Sequence, residues 1–171
     1  LKKGIEDCKS RILSMSLIHE SLYRKKDFKE ALFSSYIEDL LAKLIKAYGT
    51  DETKVQLVMN LEPIKLSLDD SIPCGLIINE IISNSLKHAF PKGKEGVIRI
   101  ELKQVDNIIS LIISDNGIGG SEGNDLKSQD SFGFDLIETL ASQLEADMEV
   151  DSTTGFTYHL KWESRLKRNN N

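Results

Sequence analysis

The sequence predicts an α+β sandwich preceded by a helical segment, and three observations predict it. Several short stretches alternate apolar and polar residues, the signature of half-buried strands. Two N-terminal stretches instead repeat their apolar residues at spacings of three and four, as amphipathic helices do. Strands then outnumber helices, so the regular βαβ alternation of a doubly wound sheet is missing.

The elements follow in order. Residues 1–24 read as a helix whose seam is Ile5, Cys8, Ile12, Met15, His19 and Leu22, a heptad-like pattern suited to a partner helix. Leu13 and Leu17 add a second apolar strip, and Arg24-Lys25-Lys26 closes the segment. Asp27 and Glu30 have capping-box spacing, and Phe33, Ile37, Leu40, Leu41, Leu44 and Ile45 form one face of a second helix that Gly49 ends. Val55, Leu57, Met59 and Leu61 alternate as a strand, and Ile64, Leu66 and Leu68 alternate as another after Glu62-Pro63. Ser71 to Phe90 reads as a helix with Pro73 in its first turn. Ile98, Ile100 and Leu102 mark a strand, and Asp106-Asn107 a turn. Ile108 to Ile113 is apolar on both faces, as a central strand would be. A polar loop runs from Asn116 to Ser131, a helix from about Phe134 to Leu144, and two strands carry Met148 and Val150, then Phe156, Tyr158, Leu160 and Trp162. The resulting division is a helical segment over 1–26, a main domain over 27–164, and a frayed polar tail over 165–171.

Composition bounds the function. The 171 residues are 40% hydrophobic and 29% charged, which is ordinary for a globular chain. A net charge of -5 disfavours a nucleic-acid partner, whose phosphates call for a basic face. No apolar run approaches the roughly 18 residues of a membrane span, so no membrane contact is expected. Cys8 and Cys74 lie far apart and outside any CxxC pair, and read as small buried hydrophobes in a reducing compartment, the cytoplasm. The chain opens on Leu1 inside a helical pattern, and reads as a piece of a longer protein.

Chemistry concentrates in four places. In NEIISNSLKHAF, from Asn79, an advance of about 100° per residue puts Glu80, Asn84, Lys87 and His88 on one face. Ile78, Ile81, Ile82, Leu86 and Ala89 fall on the other. A solvated helix face is the plain reading of such a stripe. DNGIGG, Asp115 to Gly120, follows the doubly apolar strand: an aspartate at a strand end accepts from an amine, and Gly117 and Gly119 let backbone approach a ligand. Gly133 opens a helix, whose free N–H groups suit phosphate. Thr157 stands in the last strand, after Gly155.

In this order and spacing these elements resemble the N, G1 and G2 boxes of the Bergerat-type ATPases, the gyrase, Hsp90 and histidine kinase superfamily. The resemblance implies a mixed, mostly antiparallel sheet covered by helices on one face. It implies that ATP and Mg²⁺ bind, with Asn84 as metal ligand and Lys87 and His88 on the phosphates. By the same resemblance Asp115 reads the adenine amine, Gly117 and Gly119 floor the adenine pocket, Gly133 meets the phosphates and Thr157 supports Asp115. RILSMSLIHESLY, from Arg11, and PCGLIINEIISNSLKHAFP, from Pro73, resemble a sensor histidine kinase subfamily with its acceptor in an H-H-R-x-x-N-N stretch. On that resemblance residues 1–26 are a second dimerisation helix giving a weak homodimer, and a response regulator is the partner. The chain departs from the pattern in a single G2 glycine, an absent F box, a short loop before Ser131 and no H-H-R-x-x-N-N stretch.

Three functions compete. The first is the ATP-binding part of a histidine kinase, with Glu80 orienting a water or an imidazole as a base, or else pairing with Lys87 or His88. The second is a serine kinase that controls a sigma factor, which lacks the preceding dimerisation helix. The third is a dimerisation module with a degenerate pocket. His19 lies in the heptad seam and reads as structural, and His159 as an outward-facing strand residue.

Overall fold

The computed structural model describes residues 12, 16, 32–48, 55–90, 94–119 and 131–166. The expected capping box at Asp27, the Gly49 terminator and nearly all of the N-terminal seam lie outside the described residues. Ile12 and Ser16 are both helical and exposed.

The described chain runs α1 (Phe33–Tyr48), β1 (Val55–Leu61), α2 (Leu68–Asn84), a π turn (Ser85–Ala89), β2 (Gly96–Val105), β3 (Ile108–Asp115), α3 (Ser131–Gln143), β4 (Asp147–Asp151) and β5 (Thr157–Glu163). The strands form one sheet in the order β1-β2-β3-β5-β4. β1 and β2 pair in parallel and every other pair is antiparallel. A parallel pair needs a long crossover, and α2 lies within it. The fold is the mixed α+β sandwich expected from the sequence.

One sheet face makes the core. Ile98, Ile100 and Leu102 of β2, Ile109, Leu111 and Ile113 of β3, and Tyr158, Leu160 and Trp162 of β5 are all buried. The alternating residues on these strands, among them Arg99, Ser110, His159 and Lys161, are half-buried or exposed. β3 is therefore central, as its apolar run suggests, but only one of its faces is covered. Each isoleucine or leucine removed from water here stabilises the fold by roughly 1.5–3 kcal/mol.

α2 is the middle of the helical layer. It packs against both α1 and α3, and between Asp70 and Ser83 every residue except Ile72 is buried. α1 contributes Phe33, Tyr36, Ile37, Leu40, Leu41 and Leu44, the face its spacing indicates.

Three local expectations are corrected. Residues 62–67 form no strand: Ile64 and Leu66 are buried in an irregular segment, where Phe33 N donates to Ile64 O at 2.8 Å. The alternation ends because Ser67 is the N-cap of α2 and accepts from Asp70 N at 3.1 Å. α2 thus starts at Leu68, and Pro73 falls in its second turn. The tail begins later than expected, because Arg165 is held by the Asp70 carboxylate and by Gln143 O.

Candidate active site

Asp115 ends β3 with its side chain on the covered face, 6% exposed. Three donors hold its carboxylate. Gly117 N donates to Oδ1 at 2.9 Å and Phe156 N to the same oxygen at 3.4 Å. Ser85 Oγ donates to Oδ2 at 2.7 Å. Burial and then the nearby Asp115 charge push the Tyr158 phenol up to about 12, so that it is neutral at physiological pH.

The backbone around Asp115 is braced on both sides. Ile118 N donates to Ala89 O at 3.1 Å, and a side chain at Gly117 would run into Ala89. Gly119, at φ 62°, faces the backbone of Ser152 and Gly155. The close approach these glycines permit is thus to the protein's own chain. Asn116 is spent on β2: its Oδ1 accepts from Val97 N at 2.7 Å and its N donates to Val97 O at 3.2 Å.

Glu80 and Asn84 stand one turn apart on α2. Glu80 is 5% exposed, and Asn79 Nδ2 donates to its Oε1 at 3.5 Å. Asn79 thus supplies Glu80 with a contact from its own turn. A Cβ on Gly133 would stand 3.4 Å from Asn84 Nδ2 and 3.7 Å from Glu80 Oε2. The first turn of α3 therefore abuts the polar end of α2. Its free N–H groups and positive dipole end lie beside a carboxylate and an amide.

Beyond Asn84 the helix changes pitch. Residues 85–89 are bonded as a π turn, so each residue advances by less than the ~100° of an α-helix. Lys87 is half-buried and His88 exposed on this turn. The single face expected to join Glu80, Asn84, Lys87 and His88 is therefore regular only as far as Asn84. Such π turns recur at functional sites.

Thr157 does not support Asp115. It pairs with Ser114, and strand alternation turns it to the open sheet face, away from the carboxylate. Sequence reasoning missed Ser85, whose hydroxyl is the shortest contact to Asp115. A serine followed by leucine inside a helix carries no signal of its own. It also missed Gly155, which at φ 81° lies against the Asp115 carbonyl where a Cβ would collide.

Residues 69–165 match the family described as histidine kinase-, DNA gyrase B-, and HSP90-like ATPases. The chain belongs to this family. Its ATPase domain is preceded by residues 1–48, which match a histidine kinase family. The two matches place a histidine-kinase segment and a kinase-type ATPase domain in one chain. The sensor histidine kinase PdtaS of Mycobacterium tuberculosis is 23% identical over 146 residues, 85% of this chain and 28% of that protein. The anti-sigma F factor of Clostridium kluyveri is 29% identical over 120 residues, 64% of this chain and 83% of that one. In structure, the ATPase domain and its helices resemble the histidine kinase domain of the blue-light-activated kinase EL346 from Erythrobacter litoralis. The TM-score is 0.80 at 17% identity, covering 91% of this chain and 74% of the other. The chain thus spans less than a third of the kinase PdtaS. No described helix is long and apolar enough to cross a membrane.

Proposed function

We propose that this chain binds Mg-ATP between α2, the loop after β3 and the start of α3, and supplies the γ-phosphate to a histidine outside these residues in two-component signalling. A response regulator then receives the phosphate, and the setting is the cytoplasm. The observation that carries the reading is the Asp115 carboxylate, buried at a strand end and held by three donors beside the Glu80, Asn84 and Gly133 cluster.

Each part has a task that its chemistry allows. Asp115 accepts a hydrogen bond from the adenine amine. Gly117 keeps the loop close to Ala89, so the base lies over backbone and not over a side chain. The N-terminus of α3 at Gly133 faces the phosphates, and Lys87 and His88 add positive charge on the π turn. Glu80 is placed to orient the incoming nucleophile. The rate in such transfer comes mainly from positioning and charge neutralisation.

The donor set fits Mg²⁺. That ion prefers hard oxygen ligands and is commonly held by one or two protein groups, with waters and substrate phosphate completing its shell. The Asn84 amide oxygen and Glu80 carboxylate are such groups, with Asn84 the proposed ligand. The ion, when bound, offsets phosphate charge.

A second reading, a serine kinase acting on a sigma-factor regulator, is favoured by the likeness to the anti-sigma F factor. The match of residues 1–48 to a histidine kinase family favours the first.

Calorimetry with a non-hydrolysable ATP analogue, with and without Mg²⁺, tests the proposal. Asp115→Asn is expected to weaken binding by about 1–3 kcal/mol while the fold survives, since it sets a donor against the amine. Asn84→Ala is expected to remove only the metal-dependent part of the affinity. Unchanged affinity in Asp115→Asn, or an equal loss with and without metal in Asn84→Ala, overturns these roles.

A further inference from the structure

The contact between Ser85 and Asp115 does more than satisfy a buried hydroxyl. An ionised carboxylate offers about four lone-pair sites, two on each oxygen. On Asp115, Gly117 N and Phe156 N take both sites of Oδ1. Ser85 Oγ takes one site of Oδ2 at 2.7 Å, with both side chains buried. Among the described residues one site is left, and it is on Oδ2.

We propose that Ser85 is a positioning residue that sets base selectivity, by fixing the Asp115 carboxylate so that it accepts a single ligand N–H. The inference rests on the reading of Asp115 as the adenine contact. Adenine offers one amine at its six-position and meets the one free site. Guanine has a carbonyl oxygen there, which would face an acceptor. Its N1–H and 2-amino donors lie side by side, and a carboxylate receives such a pair only when both its oxygens are available. Oδ1 is already spent.

Ser85 acts through the rotation of the carboxylate about its Cβ–Cγ bond. Without the hydroxyl, Oδ2 has no protein donor among the described residues. The carboxylate then turns once the long 3.4 Å contact to Phe156 N yields. Both oxygens become available, and discrimination against guanine relaxes. Ser85 opens the π turn one residue after Asn84, and its hydroxyl is directed to Asp115 on β3, next to the Glu80 and Asn84 face and not part of it.

The test measures ATP and GTP analogue affinities on the 171-residue chain, for the unaltered protein, Ser85→Ala, Ser85→Thr and Asp115→Asn. Ser85→Ala is expected to weaken ATP roughly fivefold, the loss of one buried hydrogen bond. GTP should not weaken, so that the ATP-to-GTP ratio falls by about the same factor. Ser85→Thr keeps the hydroxyl and is expected to keep the ratio. Equal loss for both nucleotides in Ser85→Ala overturns the proposal, because a merely structural role moves both together. If Ser85→Ala does not fold, Ser85→Thr and Ser85→Val decide, since they share a shape and differ in the hydroxyl. A ratio kept in the first and lost in the second supports the role of Ser85, and the same ratio in both overturns it. If the unaltered chain binds no ATP, or Asp115→Asn binds it as well as the unaltered chain, the adenine reading itself fails and this inference falls with it.

Discussion

Arg165, beyond the last strand, is tied to Asp70 in the first turn of α2. Its backbone N donates to Asp70 Oδ2 at 3.2 Å, and its guanidinium lies 3.5 Å from Oδ1. Asp70 is fully buried, and its Oδ1 has no hydrogen bond, so the guanidinium charge at 3.5 Å is what faces that oxygen. The same guanidinium donates to Gln143 O at the end of α3. One side chain therefore clamps the start of α2 to the end of α3. Arg165→Ala is expected to lower stability by about 1–3 kcal/mol, the cost of leaving a buried acceptor poorly paired. Urea unfolding measures it, and an unchanged midpoint would show the clamp to be idle.

Gly155 carries a larger penalty. Its φ of 81° is a left-handed value, and an added Cβ would press on the Asp115 carbonyl. The conformation alone costs a non-glycine residue on the order of 1–3 kcal/mol. The collision adds to this, because Asp115 N donates to Phe156 O at 2.9 Å and cannot move away without breaking the ladder. Gly155→Ala is expected to lose both stability and ATP affinity. A variant that melts normally and binds ATP normally would show that the turn can relax.

Three buried acids make the fold sensitive to alkali. Burial, and then Asp70, push the Cys74 thiol up; burial, and then Cys74, push the Tyr36 phenol up. Burial, and then Asp115, raise Tyr158 to about 12. The unfolded chain releases these protons from their ordinary values of 9.0 and 10.0, whereas the folded chain keeps them. Raised acids give stability that is complete below the unfolded values and is lost as pH climbs through the folded ones. These three groups are therefore expected to add no pH dependence below about pH 9 and to lower stability above it, by at most about 1.4 kcal/mol per pH unit for each group. Tyr158→Phe should shallow the fall between about pH 10 and pH 12. Urea midpoints across this range measure both, and a flat profile would contradict the burial of these groups.

Much of this was legible in the sequence, for physical reasons that differ by residue. The strands at Ile98, Ile100 and Leu102 and at Tyr158, Leu160 and Trp162 were clear, because one wet face and one dry face enforce a period of two. Ile64, Leu66 and Leu68 show the same period and are not a strand. Ser67 caps α2 between them, and alternation over so few residues does not distinguish an irregular buried segment from a sheet. The polar stripe was legible as far as Asn84, and then the π turn broke the 100° rule on which it was drawn. Asp115 was legible through the order and spacing of DNGIGG relative to the helix from Asn79, since Asp-Asn-Gly by itself is also an ordinary turn. Ser85 and Gly155 were not, because their roles depend on contacts 30 and 40 positions away in the chain, to Asp115.

The last expectation concerns what the chain does not do. Transfer to histidine needs an imidazole held in line with the γ-phosphate, and most of the rate comes from that placement. The chain has three histidines. His159 lies half-buried on β5, with its Nε2 3.0 Å from Ser110 Oγ on the sheet face opposite Asp115. His88 lies exposed on the π turn beside the proposed phosphate region, and the proposed function assigns it to the nucleotide's oxygens and not to the acceptor role. His19 lies outside the described residues; the sequence pattern alone gives it a seam position with Met15 and Leu22, where a partner helix is expected. Incubation of the 171-residue chain with γ-labelled ATP is therefore expected to leave no acid-labile, base-stable phosphate on it. A chain carrying the kinase's acceptor histidine, mixed with this one, is expected to take up the label. Self-labelling that His19→Gln abolishes would make His19 the acceptor and would reverse the reading of the N-terminal helix.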